Sequence, residues 1–286
     1  MFRKKIYNTI NIAVLAITLG FFVWQFFFSD KISFSYSPLY YLSIMITVVI
    51  VCTLKFFRLY LIIYGLHISH RNHMIQFIKT VSVNTVIPLK AGELFRIYCY
   101  GCASDSLLSG IVCITLDRFA DTLALLTIII VVSLVSGISF SVLFYLLLTF
   151  IFLVIIVYFV FPPAFSYWNQ YFIEGTASPI RLRILSVLEK SNSIYAELKK
   201  IVSSRGIILY LLSLAAWFAE AVGYYYINKI FSEKVSSTDI FYYLESAIGL
   251  NSSEVQKNFV FISVILSVSV YCVLGIIKRL RHKEHL

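Results

Sequence analysis

Six stretches of this chain, about 8–28, 38–64, 107–136, 140–161, 207–230 and 258–277, are each apolar over the length needed to cross a bilayer. A hydrocarbon core is about 30 Å thick and an α-helix rises ~1.5 Å per residue, so ~20 apolar residues suffice. Lipid offers no partner to backbone amides, and of the two structures that satisfy them internally, runs of this length select the helix over the barrel. Apolar residues make up 60% of the chain and charged ones 13%, a balance that excludes an ordinary water-soluble domain. The expected fold is therefore all-α: a polytopic transmembrane helix bundle forming one integral membrane domain over 1–286.

The net charge of +10 reads as topology rather than nucleic-acid binding, because Lys and Arg cluster beside the apolar runs. The first run follows Arg3-Lys4-Lys5 and ends F-F-F-S-D-K without a small-residue cleavage site, as expected of a retained span rather than a signal peptide. With the N-terminus cytoplasmic, Arg71, Lys79 and Lys90 fall on the same side. So do the basic residues from Arg181 to Arg205 and from Lys278 to Lys283, leaving chiefly Lys31 and Lys234 opposite. This bias predicts an integral protein of the cell membrane with both termini inside.

Two further apolar segments, 74–86 and 240–250, are too short to cross and are interrupted by Pro88 and Gly92 in one case and by Gly249 and Asn251-Ser-Ser253 in the other. They are expected to be re-entrant half-helices, with a bundle of eight full spans as the alternative. Each half, 1–136 and 137–286, then holds two spans, a broken segment and a third span, the order of an inverted repeat. A shift of 161 residues aligns Ile87-x-Leu89-x-x-x-Glu93 with Ile248-x-Leu250-x-x-x-Glu254. The stretch 164–205 between the halves carries an amphipathic, basic pattern from Pro179 onward, expected to lie on an anionic membrane surface.

Charges inside an apolar helix cost about 2.5–3.5 kcal/mol each on insertion scales and are kept where they serve a function. They gather here in a polar island from Asn84 to Asp121. Pro88, Lys90, Gly92, Glu93 and Arg96 come first, at a helix start suited to a phosphate, and Asp117, Arg118 and Asp121 follow about ten residues into the next apolar run. Glu93 with Arg96, and Arg118 with Asp121, are spaced to share a helix face. Glu220 is a third intramembrane charge. The reading is a paired network facing the bundle interior, either gating a path or latching two helices. Cys99-x-x-Cys102 stands in an apolar segment and reads as packing, and His67, His70 and His73 read as a cytoplasmic loop rather than a metal site. No motif calls for a cofactor, a metal or a nucleotide.

The pattern P-x-K-x-G-E-x-x-R followed some twenty residues later by D-R-x-x-D in an apolar helix resembles the transmembrane region of lysylphosphatidylglycerol synthases and their flippase-like relatives. Span order carries the resemblance over nearly the whole chain, while its specific letters lie within 84–121. In the family pattern Lys90 is often Arg and Asp117 usually Glu, so both departures conserve charge. The resemblance implies that Pro88, Gly92, Glu93 and Arg96 line the site and that Arg118 and Asp121 complete it. It implies a non-enzymatic translocase of lipids or lipid-linked precursors, and the synthase activity of members with a soluble domain does not carry over. The expected partners are a membrane lipid or lipid-linked substrate and the anionic membrane surface, without nucleic acid; association into a homo-oligomer is left open. The alternatives are an intramembrane transferase using Asp117 or Glu93 as base, or a non-catalytic accessory protein of envelope biosynthesis.

Overall fold

The structure is a computed structural model, which describes residues 2–29, 37–64, 69–87, 92–104, 106–174, 178–231, 237–246 and 254–283. The described residues contain helices and no strand. In chain order they are α1 (Phe2–Val23, continued by a π-helical turn, Trp24–Ser29), α2 (Pro38–Tyr64), α3 (His70–Val86), α4 (Gly92–Ala103), α5 (Leu107–Ser136), α6 (Val142–Glu174), α7 (Pro179–Phe231), α8 (Ser237–Ser246) and α9 (Glu254–Lys283). Six of them, α1, α2, α5, α6, α7 and α9, are long and apolar enough to cross a membrane, and they coincide with the six apolar runs of the sequence. The protein is an integral membrane protein with several transmembrane helices.

Local chemistry sets the ends of α5. The Ser106 side chain accepts from Ser109 N–H at 3.4 Å at its start, and Gly137 ends it in the left-handed region at φ 67° with its N–H bonded to Ser133 O. Between α2 and α5, α3 and α4 form an antiparallel helical hairpin. Gly92 opens α4 directly against the Asn84 backbone, where any Cβ would collide. At the other end of α4, Gly101 and Gly110 let it lie against α5 with backbones touching: a Cβ on Gly110 would fall 2.5 Å from Ile97 O and 2.6 Å from Gly101 N. The hairpin thus starts beside the C-terminus of α2 and the N-terminus of α5, and its turn comes level with the middle of α5. At ~1.5 Å per residue, α3 is about 26 Å long and α8 about 15 Å, both short of a full core. The second broken segment, 240–250, is only partly described, with 247–250 outside the described residues.

Two apolar clusters form most of the interior. One joins α2, α3, α4, α5 and α7 through Leu59, Ile62, Tyr100, Ile114 and Leu209. The other joins α5, α6, α7 and α8 through Ala124, Leu126, Phe144, Trp217, Phe241 and Leu244. On α5 the two meet near Asp121. α2 runs antiparallel to the C-terminal half of α7, from Leu61 beside Arg205 to Thr47 pressing on Gly223.

The stretch 164–205 departs from the expected surface-lying connector. α6 continues through Pro162 and Pro163 to Glu174, and α7 is one helix of 53 residues that passes through Arg205 and Gly206 without interruption. Pro179 occupies the first turn of α7, where proline is tolerated, and Ser178 caps it by accepting from Arg181 N–H at 3.3 Å. Beyond it nothing in the sequence stops the helix, since a lone Gly206 costs only ~1 kcal/mol. A helix of that length is about 80 Å long, nearly twice the ~40–45 Å of a whole bilayer, so its N-terminal part projects from the bundle. Tyr195 on this part packs on α6, donating to Tyr158 O at 3.1 Å and stacking on Phe161.

Candidate functional site

The described ionic residues of the polar island converge at the junction of the two clusters, around a residue the sequence reading did not single out. Arg58, in the C-terminal third of α2 and 1% exposed, sends Nε to Asp117 Oδ1 at 2.7 Å and Nη1 to Asp121 Oδ1 and to Ser213 Oγ on α7, the latter at 3.0 Å. Arg96 on α4 pairs with Glu93 at 3.1 Å one turn earlier and with Asp117 Oδ2 at 3.2 Å across the α4/α5 contact. Arg118 reaches Glu93 at 3.0 Å, Asp121 at 3.4 Å and Asp117 at 3.6 Å. Three guanidinium groups therefore face three carboxylates, Glu93, Asp117 and Asp121, and the cluster is neutral.

Its members are not equally held. Arg58, Arg96 and Asp117 are almost fully enclosed, whereas the Arg118 side chain is 27% exposed. The Nε of Arg118 is within ion-pairing range of Glu93 but out of line for a hydrogen bond, and the Nε of Arg96 is buried without a hydrogen-bond partner. Arg118 is thus the guanidinium with the loosest geometry and the most open position. A planar fork with free N–H groups suits a carboxylate or phosphate.

Glu220 belongs to a second pair. It stands two turns beyond Ser213 on α7, 3.7 Å from Lys55 of α2, and accepts from Tyr243 O–H on α8 at 3.3 Å. Lys55 also lies over the Trp217 ring at 5.2 Å. Lys55 and Arg58 are three residues apart on α2, so one helix face serves both pairs.

Asn84 is half-buried on α3 beside Gly92, with its Oδ1 buried and without a hydrogen-bond partner. Pro88 and Lys90 lie outside the described residues, in the segment that joins α3 to α4. The histidines depart from the loop reading: His70 and His73 are in α3, and His67 is outside the described residues. His73 is buried, with Nε2–H donating to Phe56 O at 3.4 Å and Nδ1 accepting from Tyr100 O–H at 3.1 Å, and burial pushes its pKa down to about 4. It fastens the hairpin to α2 as a neutral ring. Cys99 and Cys113 are buried as expected of packing residues, but Cys102 and Cys272 are exposed. Among the described residues no group of His, Cys, Asp and Glu is placed to hold a metal.

Arg58 carried a sequence signal. It and Lys55 are the two charges inside the apolar run 38–64, spaced i, i+3 like Arg118 and Asp121.

No curated protein and no solved structure matches this chain. The family described as lysylphosphatidylglycerol synthase TM region matches residues 8–250, taking in both motifs, the first five spans and α8. With the greater part of its length so matched, the chain belongs to the lysylphosphatidylglycerol synthase transmembrane-region family.

Proposed function

We propose that this protein moves a lipid or lipid-linked precursor between the leaflets of the cell membrane, with its N- and C-termini cytoplasmic and without an enzymatic step. Membership of a lipid-handling membrane family supports a lipid substrate. The observation that carries the reading is the uneven grip on the arginines. A headgroup phosphate approaching Arg118 meets a partly exposed guanidinium whose contact with Glu93 is off-line, and can take it from Glu93 without any fully enclosed charge losing its partner. Arg96, with its spare Nε–H, is next in line, while Arg58 holds Asp117 and Asp121 in place. Acyl chains remain in the bilayer throughout.

In this reading the α3/α4 hairpin is re-entrant from the cytoplasm, with Asn84 and Gly92 facing each other where its two helices meet, and α8 begins the matching hairpin from outside. The packing is consistent with halves related by inversion: α2 pairs with α7, and α5 packs on α7 and α8 as α9 packs on α2 and α3. The Lys55–Glu220 pair bridges the halves and serves as a gate. No nucleotide-binding loop occurs in the sequence, so drive comes from a gradient, the membrane potential or consumption of the lipid.

Leaflet exchange of fluorescent lipids with lysyl-ester or polyprenyl-phosphate headgroups, measured in proteoliposomes, tests this. Wild type is expected to exchange one class, and Arg118→Ala and Glu93→Gln to lose that exchange while remaining folded. Undiminished exchange by folded Arg118→Ala removes the proposed path. Exchange of no class by folded wild type favours an accessory role in envelope biosynthesis.

A further inference from the structure

Outside the neutral cluster there is a second buried cation without an anionic partner. Lys79 of α3 is 5% exposed. Its ammonium donates to Tyr7 O–H at 3.0 Å and to Asn11 Oδ1 at 2.9 Å, both on α1, and lies over the rings of Tyr7 and Phe95 at 5.0 and 5.3 Å. No carboxylate among the described residues pairs with it. Two neutral oxygens, the Cys99 thiol and two aromatic faces temper a desolvated charge but do not neutralise it. Burial of a charge without a counter-ion is the costly case, in contrast with the three-against-three balance a few turns away.

The surroundings give this charge a direction. One turn further along α3, Val83 joins Phe95, Cys99 and Val14 in an apolar seal. One turn back, Gln76 shares the Tyr7 hydroxyl, donating to it at 2.9 Å. The polar partners of Lys79 therefore lie on the side toward the start of α1, where the sequence sets Arg3, Lys4 and Lys5 in the turn just before Tyr7.

We propose that Lys79, Tyr7, Asn11 and Gln76 form an anion site between α1 and the α3/α4 hairpin, and that it takes a phosphate, as carried by an anionic phospholipid of the leaflet at that end. The phosphate enters between Tyr7 and Asn11 and accepts from the Lys79 ammonium and from the Tyr7 hydroxyl, which it takes over from Gln76 Oε1 at 3.2 Å. This site is separate from Arg118 and does not rest on the translocase reading.

The test uses the full chain purified in a mild non-ionic detergent. Native mass spectrometry counts the lipid retained from an equimolar mixture of phosphatidylglycerol and phosphatidylcholine. A parallel thermal melt uses added inorganic phosphate. Two variants accompany wild type: Lys79→Gln removes the cation, and Asn11→Asp places a carboxylate at the position already 2.9 Å from the ammonium, an internal substitute for the ligand. Wild type is expected to favour phosphatidylglycerol by about tenfold, a difference of ~1.4 kcal/mol. Lys79→Gln and Asn11→Asp should both lose that preference, with Asn11→Asp melting no lower than wild type, an outcome that a purely structural lysine does not produce. Inorganic phosphate that raises the melting temperature of wild type but not of Asn11→Asp would uphold the site and assign it to a soluble phosphate. Equal retention of the two lipids by wild type together with no response to phosphate, or full preference retained by Asn11→Asp, would overturn the proposal.

Discussion

Replacing Arg58 by Met tests whether the ionic cluster is held by charge balance. Methionine keeps an unbranched chain in the core but removes the cation. Asp121 is left with Arg118 at 3.4 Å, and Asp117 with Arg96 at 3.2 Å and Arg118 at 3.6 Å. Three cations against three anions become two against three in a site closed to water. Removing one partner of a buried pair costs about 3–5 kcal/mol, and Arg58, which serves two carboxylates and Ser213, belongs at the upper end. At roughly 2–4 °C per kcal/mol for large domains, thermal unfolding in detergent should fall by ~6–20 °C. The informative partner is Arg58→Met combined with Asp121→Asn, which restores two against two. It should be more stable than the sum of the single effects predicts, by at least ~1 kcal/mol. A single variant within ~1 kcal/mol of wild type, or strict additivity in the double, would refute the argument from charge balance.

Arg118→Ala should cost less stability than Arg58→Met, below ~2 kcal/mol, because its side chain is partly exposed and its 3.0 Å contact with Glu93 is out of line for a hydrogen bond; the melting temperatures of the two variants, compared side by side, check the order. Gly110→Ala drives a methyl into the backbone of α4, and the overpacking penalty of about 1–3 kcal/mol should outweigh the helix-propensity gain; lowered thermal stability and faster cysteine labelling at Cys113 would report the opened contact. His73 is held below its ordinary pKa, so the unfolded chain binds the extra proton and stability is lost as pH falls below about 6.5 toward 4. The loss at pH 5 is about 2 kcal/mol relative to pH 7.5, and a pH series of unfolding midpoints should show that part of the slope vanish in His73→Gln.

The apolar runs foretold the six long helices because lipid imposes one rule on every span, and the helix-breaking residues at 88–92 foretold that the segment before α5 divides in two. The i, i+3 pairs Glu93/Arg96 and Arg118/Asp121 meet as their spacing predicts. What could not be read was which helix faces which. Arg58 is 59 residues from Asp117 in sequence, and only the packing of α2 against α5 and α7 joins them. Glu220 was visible as an intramembrane acid, but its partner Lys55 depends on the α2/α7 register. The 164–205 stretch was legible as amphipathic helix; that it continues into the next span depends on the absence of a stop signal, a weaker cue than any residue present.

The uninterrupted course of α7 makes it a mechanical amplifier. Ser213, bonded to Arg58, is 34 residues from the far end at Pro179, a rigid arm of ~51 Å. A rigid tilt of about 10° around Ser213, hardly more than a side-chain rearrangement at the ion cluster, swings that end by ~9 Å. A fluorophore pair with one dye near Arg181 therefore reports a movement at the ion cluster from the far end of the helix.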